Sequence, residues 1–113
     1  DHFLPFSKHN DDSLDNLVAA CRKCNGSKSD SYPSLLHVSK WMERFVKGSQ
    51  TDHDLDTIAV AIPHFRDSIS TASKARAVYL NKPEGTMLWH SINESTVLNP
   101  IGVRAVLLNQ RDS

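Results

Sequence analysis

The first 28 residues read DHFLPFSKHNDDSLDNLVAACRKCNGSK (residues 1–28). A carboxylate stands beside an imidazole at Asp1 and His2, one amide follows a turn-rich loop at Asn16, and a second amide opens a polar helix at Asn25. An imidazole can take a proton from water near neutral pH. Carboxylate and amide oxygens are hard ligands of the kind that Mg²⁺ prefers. Together these residue types predict a metal-dependent site that activates water.

The segment resembles the HNH endonuclease family in spacing as well as in residue types. Members carry Asp-His-x-x-Pro at the end of a strand, then a loop with Asp-Asn-Leu, then a short second strand and Cys-x-x-Cys-Asn-x-x-Lys at a helix start. The corresponding residues here are 1–5, 15–17, 18–20 and 21–28. The last position of the name-giving trio is Asn25 here, a variant that keeps an oxygen ligand where other members have His.

The same stretch also resembles the HNH nuclease domain of type II CRISPR effectors. The shared features are the Asp-His pair at residues 1–2, the Asp-Asp-Ser-x-Asp-Asn run at residues 11–16 and the Asn-x-x-Lys-Ser-Asp run at residues 25–30.

The resemblance implies an α+β fold that is mostly α. We expect the ββα-metal (HNH) motif at the N-terminus, in residues 1–32, followed by a helical C-terminal extension in residues 33–113 that packs on the motif within the same domain. Because the family places a strand immediately before the Asp-His pair, we also expect a first strand and a further domain upstream of Asp1.

Roles for individual residues follow from the resemblance. Asp1 and Asn25 would bind a single divalent metal, Mg²⁺ or Mn²⁺, that touches the scissile phosphate and the leaving 3′ oxygen. His2 would be the general base that draws a proton from the attacking water. Asn16 would hold the loop and orient the His2 ring. Lys28, one turn after Asn25 on the same helix face, would contact the phosphate backbone as a point charge.

Each of the polar residues also has a reading without chemistry. Asn16 suits a turn by itself, because Asx side chains bond their own backbone. Asn25 suits a helix N-cap, a position that can also present a side chain to a ligand. Lys28 taken alone is typical of a solvated surface charge.

The two cysteines form half of a structural zinc site. Cys21 and Cys24 are separated by two residues, whereas a closed zinc site needs four ligands, and the sequence holds no second such pair. His9 and His37 are conceivable substitutes. Reduced thiols in a small apolar layer behind the second strand are favoured over Zn²⁺. A disulfide is disfavoured, because DNA-cleaving enzymes usually work in a reducing, cytoplasmic environment.

Length and charge limit the possible partners. The chain has 113 residues, 39% of them hydrophobic, and no apolar run approaches the roughly 20 residues that a membrane span requires. Its 13 Lys and Arg balance its 13 Asp and Glu, unlike the basic composition of a typical DNA-binding domain. Lys8, Arg22, Lys23 and Lys28 nevertheless cluster in the first quarter, which predicts a local patch for DNA.

Helical periodicity dominates the rest of the chain. One helix is predicted from Ser34 or Ser31 to Gly48, with a stripe made of Leu35, Leu36, Val38, Trp41, Met42, Phe45 and Val46. A second is predicted after Thr51 or Asp52 up to Pro63, and a third from about Arg66 to Leu80. A turn at residues 83–85 and a short extended piece at residues 86–89 should lay Trp89 on the core. Asn99 and Pro100 should open a short helix through Leu108.

This helical part resembles the C-terminal part of a group of bacterial HNH proteins. The shared patterns are His-Val-x-x-Trp at residues 37–41, Ala-Arg-Ala-x-Tyr-Leu at residues 75–80 and Pro-x-Gly-x-x-Leu-Trp at residues 83–89. These are packing motifs, so they imply no catalytic role.

Two functions of different class follow. The favoured one is a metal-dependent endonuclease that hydrolyses phosphodiester bonds in DNA, with RNA open as a substrate. The alternative is a non-catalytic nucleic-acid-binding or scaffold module on the same fold.

Overall fold

The structure is a computed structural model, and it describes residues 2–19, 22–28, 31–62 and 64–108. These residues form six α-helices and one antiparallel pair of strands. The helices are α1 (Phe6–His9), α2 (Arg22–Lys28), α3 (Leu35–Trp41), α4 (Gln50–Ala61), α5 (Ser68–Leu80) and α6 (Pro100–Leu107), and the strands are β1 (Met87–Ser91) and β2 (Glu94–Val97). The described chain is therefore α+β and mostly α, as the sequence predicts. None of its helices has the length and apolar character that a membrane crossing needs.

The start of the described chain folds back on itself. His2 forms an isolated antiparallel bridge with Leu17, and the amide of Phe3 donates to the carbonyl oxygen of Asn16 at 2.7 Å. A 3₁₀ turn at Leu14–Asn16 precedes this contact, and α2 follows it along the chain. The bridge brings the residues after Asp1 beside those that lead to α2, while the full ββα arrangement stays a prediction.

The helix predicted up to Gly48 is divided into two parts. The α-helix α3 ends at Trp41, and a 3₁₀ helix at Met42–Phe45 continues it. Gly48 has a φ of 83°, a conformation that glycine adopts without strain, and the segment turns there as predicted. Leu36 is 62% exposed, so its placement in the buried stripe is wrong. The shorter helix presents only a narrow apolar face.

The next two helices lie close to their predicted positions. α4 starts at Gln50, a little before the predicted start, because the Ser49 hydroxyl accepts a hydrogen bond from the Asp52 amide at 3.1 Å and caps the helix there. Leu55 of α4 is buried, whereas Ile62, just after the helix, is 59% exposed. α5 occupies Ser68–Leu80 and ends where the sequence predicts.

The hairpin of β1 and β2 is the element that the sequence pattern does not indicate. β1 overlaps the predicted extended piece at residues 87–89 and continues to Ser91. It pairs with β2 through a turn in which Asn93 has a φ of 67°. Because side chains alternate along a strand, the buried position is Leu88, and Trp89 is only half-buried. The prediction that Trp89 lies on the core is therefore wrong.

α6 forms as the sequence predicts. The Asn99 side chain accepts a hydrogen bond from the Ile101 amide at 2.9 Å, and Pro100 occupies the first turn.

One hydrophobic core joins the N-terminal motif to the helical extension. The rings of Phe3 and Trp41 stack with centroids 4.1 Å apart, and Leu4 is completely buried. The other members come from the later helices and the hairpin: Val38, Met42, Ala75, Tyr79, Leu88, Leu98, Val103 and Leu107. The main chain around His2 is thus anchored by side chains of both predicted segments.

A buried ion pair ties the 3₁₀ turn at Leu14–Asn16 to the start of α5. The Asp15 side chain has no exposed surface, and its Oδ1 lies 2.6 Å from Nη2 of Arg66. The same guanidinium bonds Asp52 at 2.8 Å and Asp56 at 2.7 Å, both on α4. Burial lowers the pKa of Arg66, but its hydrogen bonds to these three carboxylates outweigh that effect and raise the pKa above its ordinary value. Arg66 therefore stays charged and crosslinks three segments.

We expect Arg66→Met to destabilise the protein by about 3–5 kcal/mol, because it leaves the Asp15 carboxylate buried without a cation. Asp56→Asn removes a partner of the same guanidinium that is 65% exposed, so it should cost less than about 1 kcal/mol. Urea unfolding of both variants measures the two values. Equal losses would show that the buried pair has no special importance.

Candidate functional site

The predicted general base pairs with an acidic residue of the loop. Nε2 of His2 lies 2.8 Å from Oδ1 of Asp12, and the two side chains are 28% and 54% exposed. A neutral imidazole facing a carboxylate carries its proton on the facing nitrogen, so Nδ1 then holds the lone pair. The bridge between His2 and Leu17 fixes the backbone that bears the ring. The pair can therefore accept a proton from a reactant near the surface.

Asp12 is held from behind by a histidine of the helical extension. Nε2 of His64 donates to the Asp12 carbonyl oxygen at 2.8 Å. This contact fixes the backbone of Asp12 and leaves its carboxylate to His2. Neither Asp12 nor His64 is among the predicted site residues. The signal in the sequence is the acidic pair at residues 11–12, but nothing there shows which carboxylate reaches the imidazole.

Asp11 has a structural role. Its Oδ1 accepts hydrogen bonds from the Ser13 amide and hydroxyl at 3.1 and 2.7 Å, and its Oδ2 accepts one from Thr71 at 2.7 Å. Lys74 lies 3.4 Å from the same Oδ2. Burial raises the pKa of Asp11, but the hydrogen bonds from Thr71 and Ser13 and the charge of Lys74 outweigh it, so the pKa lies below its ordinary value. The network holds the loop against α5.

Asn16 closes the loop, as the predicted role requires. Its side chain is completely buried, and its Oδ1 accepts from the Leu4 amide at 2.7 Å. Its Nδ2 donates to the carbonyl oxygens of Leu4 and Asp11 at 3.0 and 2.8 Å. One amide thus joins the chain after His2 to the chain before Asp12. Its effect on the orientation of the His2 ring stays a prediction.

Lys28 lies beside His2 rather than at an open surface. The residue is 5% exposed, and its Nζ donates to the His2 carbonyl oxygen at 2.9 Å. This bond docks the end of α2 against the backbone of His2. The geometry brings Lys28 to the site, and its contact with phosphate stays a prediction.

The predicted metal ligands lie at the limits of the description. Asp1 is outside the described residues, as is the side chain of Asn25. The backbone of Asn25 is inside α2, which begins at Arg22, so the reading of Asn25 as an N-cap is wrong. Asn25 precedes Lys28 by three residues along α2, and Lys28 bonds the His2 carbonyl oxygen.

The thiols give no closed zinc site in the part of the chain that the structure describes. Cys21 lies outside that part, and Cys24 is half-buried. Nε2 of His9 lies 2.6 Å from the Tyr32 hydroxyl, and Nε2 of His37 lies 2.7 Å from the His90 carbonyl oxygen. In the described part of the chain, no group of three or more His, Cys, Asp or Glu side chains could hold a metal ion. The preference for reduced thiols over structural zinc stays a prediction.

A groove of about 470 Å³ opens between α2, α3 and β1. Trp89 donates from its indole Nε1 to the Ser27 hydroxyl at 2.9 Å and thereby joins the hairpin to α2. The lining combines aromatic, apolar and cationic side chains: Phe3, Val18, Ala19, Cys24, Lys28, Pro33, His37, Lys40, Trp41, Arg44 and Trp89. Phe3 and Lys28 connect this groove to the surroundings of His2.

Residues 1–34 match the family model described as HNH endonuclease. The match contains the pair formed by His2 and Asp12, the loop closed by Asn16, and α2. It supports the family broadly and leaves the closer resemblance to CRISPR effectors unsupported. No curated protein matches the chain. No solved structure matches it either.

We expect Asp11→Asn to destabilise the protein by about 1–3 kcal/mol at neutral pH, because a buried carboxylate that accepts several hydrogen bonds is replaced. The pKa of Asp11 is lowered by folding, so its stabilisation is present above the pKa of the unfolded chain and is lost as pH falls through the folded value. The stability of the variant should therefore decline less than that of the wild type between about pH 5 and pH 2.

Urea unfolding at a series of pH values checks this expectation. Asp12→Asn is the matched control, because it removes a neighbouring carboxylate that is 54% exposed and should change stability by about 0.5 kcal/mol or less. Parallel stability curves for the wild type and Asp11→Asn would contradict the assignment.

Proposed function

We propose that the protein is a metal-dependent endonuclease that hydrolyses phosphodiester bonds in DNA. The observation that carries the proposal is the pairing of His2 with Asp12 at 2.8 Å, inside the segment that matches the HNH endonuclease model. Asn16 and Lys28 support it, since both bind the main chain next to His2.

His2 is the proposed general base. In its neutral form Nδ1 accepts a proton from the attacking water as the water oxygen bonds to phosphorus. The bond from phosphorus to the 3′ oxygen breaks, and the 3′ oxygen takes a proton from solvent. The products are a 5′ phosphate and a 3′ hydroxyl. Asp12 acts on the ring as a positioning residue, because its carboxylate holds the tautomer and stabilises the imidazolium that forms.

Asp1 and Asn25 are the proposed ligands of one Mg²⁺ or Mn²⁺. Their carboxylate and amide oxygens are the hard donors that such ions prefer, and α2 carries Asn25 one turn before the lysine that docks on His2. When bound, the ion supplies Lewis-acid stabilisation of the charge on the phosphate and the leaving oxygen.

The burial of the polar groups around His2 limits the side from which substrate can reach it. The side chains of Asn16 and Asp11 form their hydrogen bonds with other groups of the protein, so neither side chain occupies the His2 ring. The Asp12 side chain is 54% exposed, whereas the loop carboxylates of Asp11 and Asp15 are buried. Substrate therefore approaches from the side of Asp12 and His2.

We expect His2→Ala to lower the cleavage rate by about 10²–10⁴-fold while DNA affinity changes less than about threefold, because a general base contributes to the transition state and little to ground-state binding. Nicking of supercoiled plasmid with Mg²⁺ or Mn²⁺ gives the rate, and a gel shift without metal gives the affinity.

His53→Ala is the control for this experiment, because His53 is an exposed histidine on α4, and it should nick like the wild type. Cleavage by His2→Ala within tenfold of the wild type would remove His2 from the mechanism. Binding of DNA by the wild-type protein without any metal-dependent nicking would favour the non-catalytic nucleic-acid-binding module instead.

We expect Asn25→Ala to lower metal affinity and cleavage rate together. Asn25→His should keep partial activity, with Mn²⁺ or Co²⁺ favoured over Mg²⁺, because imidazole is a softer ligand than an amide oxygen. Calorimetric titration with Mn²⁺ and plasmid nicking measure the two effects. Lys23→Gln, an exposed change on the same helix, is the control for metal affinity. A titration of Asn25→Ala identical to that of the wild type would refute the ligand role.

A further inference from the structure

Two lysines from distant parts of the chain meet at one tyrosine ring. The Nζ of Lys82, just after α5, lies 4.0 Å from the centroid of the Tyr32 ring, and the Nζ of Lys8, in α1, lies 5.0 Å from it. A cation within about 6 Å of an aromatic centroid is attracted by the electrons of the ring. Tyr32 therefore acts as a platform for both ammonium groups.

The ring is itself held firmly. The Tyr32 hydroxyl lies 2.6 Å from Nε2 of His9, and its ring meets Tyr79 edge to face with centroids 6.0 Å apart. Burial raises the pKa of Tyr32, so the hydroxyl remains protonated and the platform carries no negative charge of its own.

The positive charge at this platform is not neutralised within the described residues. Neither Lys8 nor Lys82 forms an ion pair there, and the nearby Lys74 is engaged by buried Asp11 at 3.4 Å. Burial and then Lys8 lower the pKa of Lys82. Burial, Lys74, Lys8 and Lys82 lower the pKa of His9, against the charge of Asp11, which raises it. Two ammonium groups thus meet over one ring without an ion-pair partner among the described residues, and a bound anion would neutralise them.

We infer that Lys8, Lys82 and Tyr32 form a docking surface for the phosphate backbone of duplex DNA, which is named here the Tyr32 platform. This inference rests on the proposed function, and it adds where the substrate lies. The two Nζ atoms lie 4.0 and 5.0 Å from one ring centroid, so they are at most about 9 Å apart and can bind neighbouring phosphates of one backbone.

The distance to the proposed base suits this role. Lys8 follows His2 by six positions, so their Cα atoms are at most about 22 Å apart. That length corresponds to about six base-pair steps along B-DNA. The Tyr32 platform is therefore within reach of the duplex that flanks the scissile phosphate, and it orients the DNA without contacting the reacting atoms.

The test is the salt dependence of DNA binding by the protein in EDTA. The probe is a fluorescein-labelled duplex of 20 base pairs, followed by anisotropy between 50 and 200 mM NaCl, with thermal melting of each variant to confirm folding. We expect Lys8→Gln/Lys82→Gln to reduce the slope of log K against log salt by about 2, since each phosphate contact contributes about 0.9. Affinity at 100 mM NaCl should fall about tenfold or more.

The control is Lys47→Gln/Arg104→Gln, which removes the same charge from exposed positions elsewhere. Its slope should change by less than about 0.5. Equal slopes for the two double variants, or no binding of the duplex by the wild type, would overturn the docking surface.

The outcomes also separate the two proposals. Nicking that depends on His2 together with an unaffected slope would overturn the Tyr32 platform alone. A slope that depends on Lys8 and Lys82 without any nicking would support the Tyr32 platform and count against the endonuclease.

Discussion

The loop that carries the candidate site depends on the buried carboxylate of Asp15. Arg66 neutralises this charge at 2.6 Å and at the same time reaches two aspartates of α4. The Asp15 carbonyl oxygen accepts further bonds from Trp41 at 3.0 Å and Arg44 at 2.9 Å. A buried charge is tolerated only where its partners are in place, so helices from three parts of the chain must assemble before this loop is stable. Side chains of the helical extension therefore hold the loop of the N-terminal motif in place.

The three aspartates of the loop differ in burial and in role. Asp11 and Asp15 are buried and fully engaged, whereas Asp12 between them is exposed and paired with His2. Asn16 then fastens both arms of the loop with one amide. Because the neighbours of Asp12 are held from inside, the position of its carboxylate is set without direct packing around it. A rigid frame with a solvent-facing polar pair is the arrangement that proton transfer at a surface needs.

The sequence predicts much of this fold because several signals are local. Helices α4, α5 and α6 follow from periodicity and capping. The hairpin escapes prediction because β2 reads Glu94-Ser95-Thr96-Val97, which lacks apolar alternation. The partner of His2 also escapes prediction. Asp11 and Asp12 are the same residue type at adjacent positions, so the sequence does not show which one is buried. That is decided by long-range contacts, from Thr71 to the Asp11 carboxylate and from His64 to the Asp12 carbonyl oxygen.

The zero formal charge looks unfavourable for a DNA enzyme, yet it is a poor guide to the surface. Asp15 and Asp52 bind Arg66, and buried Asp11 lies 3.4 Å from Lys74, so these acids and bases neutralise one another within the fold. Lys8 and Lys82 remain at the Tyr32 platform without an ion pair among the described residues. Charges at the surface act over about a Debye length, which is about 8–10 Å in physiological salt. The local distribution of charge therefore matters more to a bound phosphate than the net charge of the whole chain. A chain of zero formal charge can therefore still present a locally positive surface, because Lys8 and Lys82 meet where no acidic side chain pairs with them among the described residues.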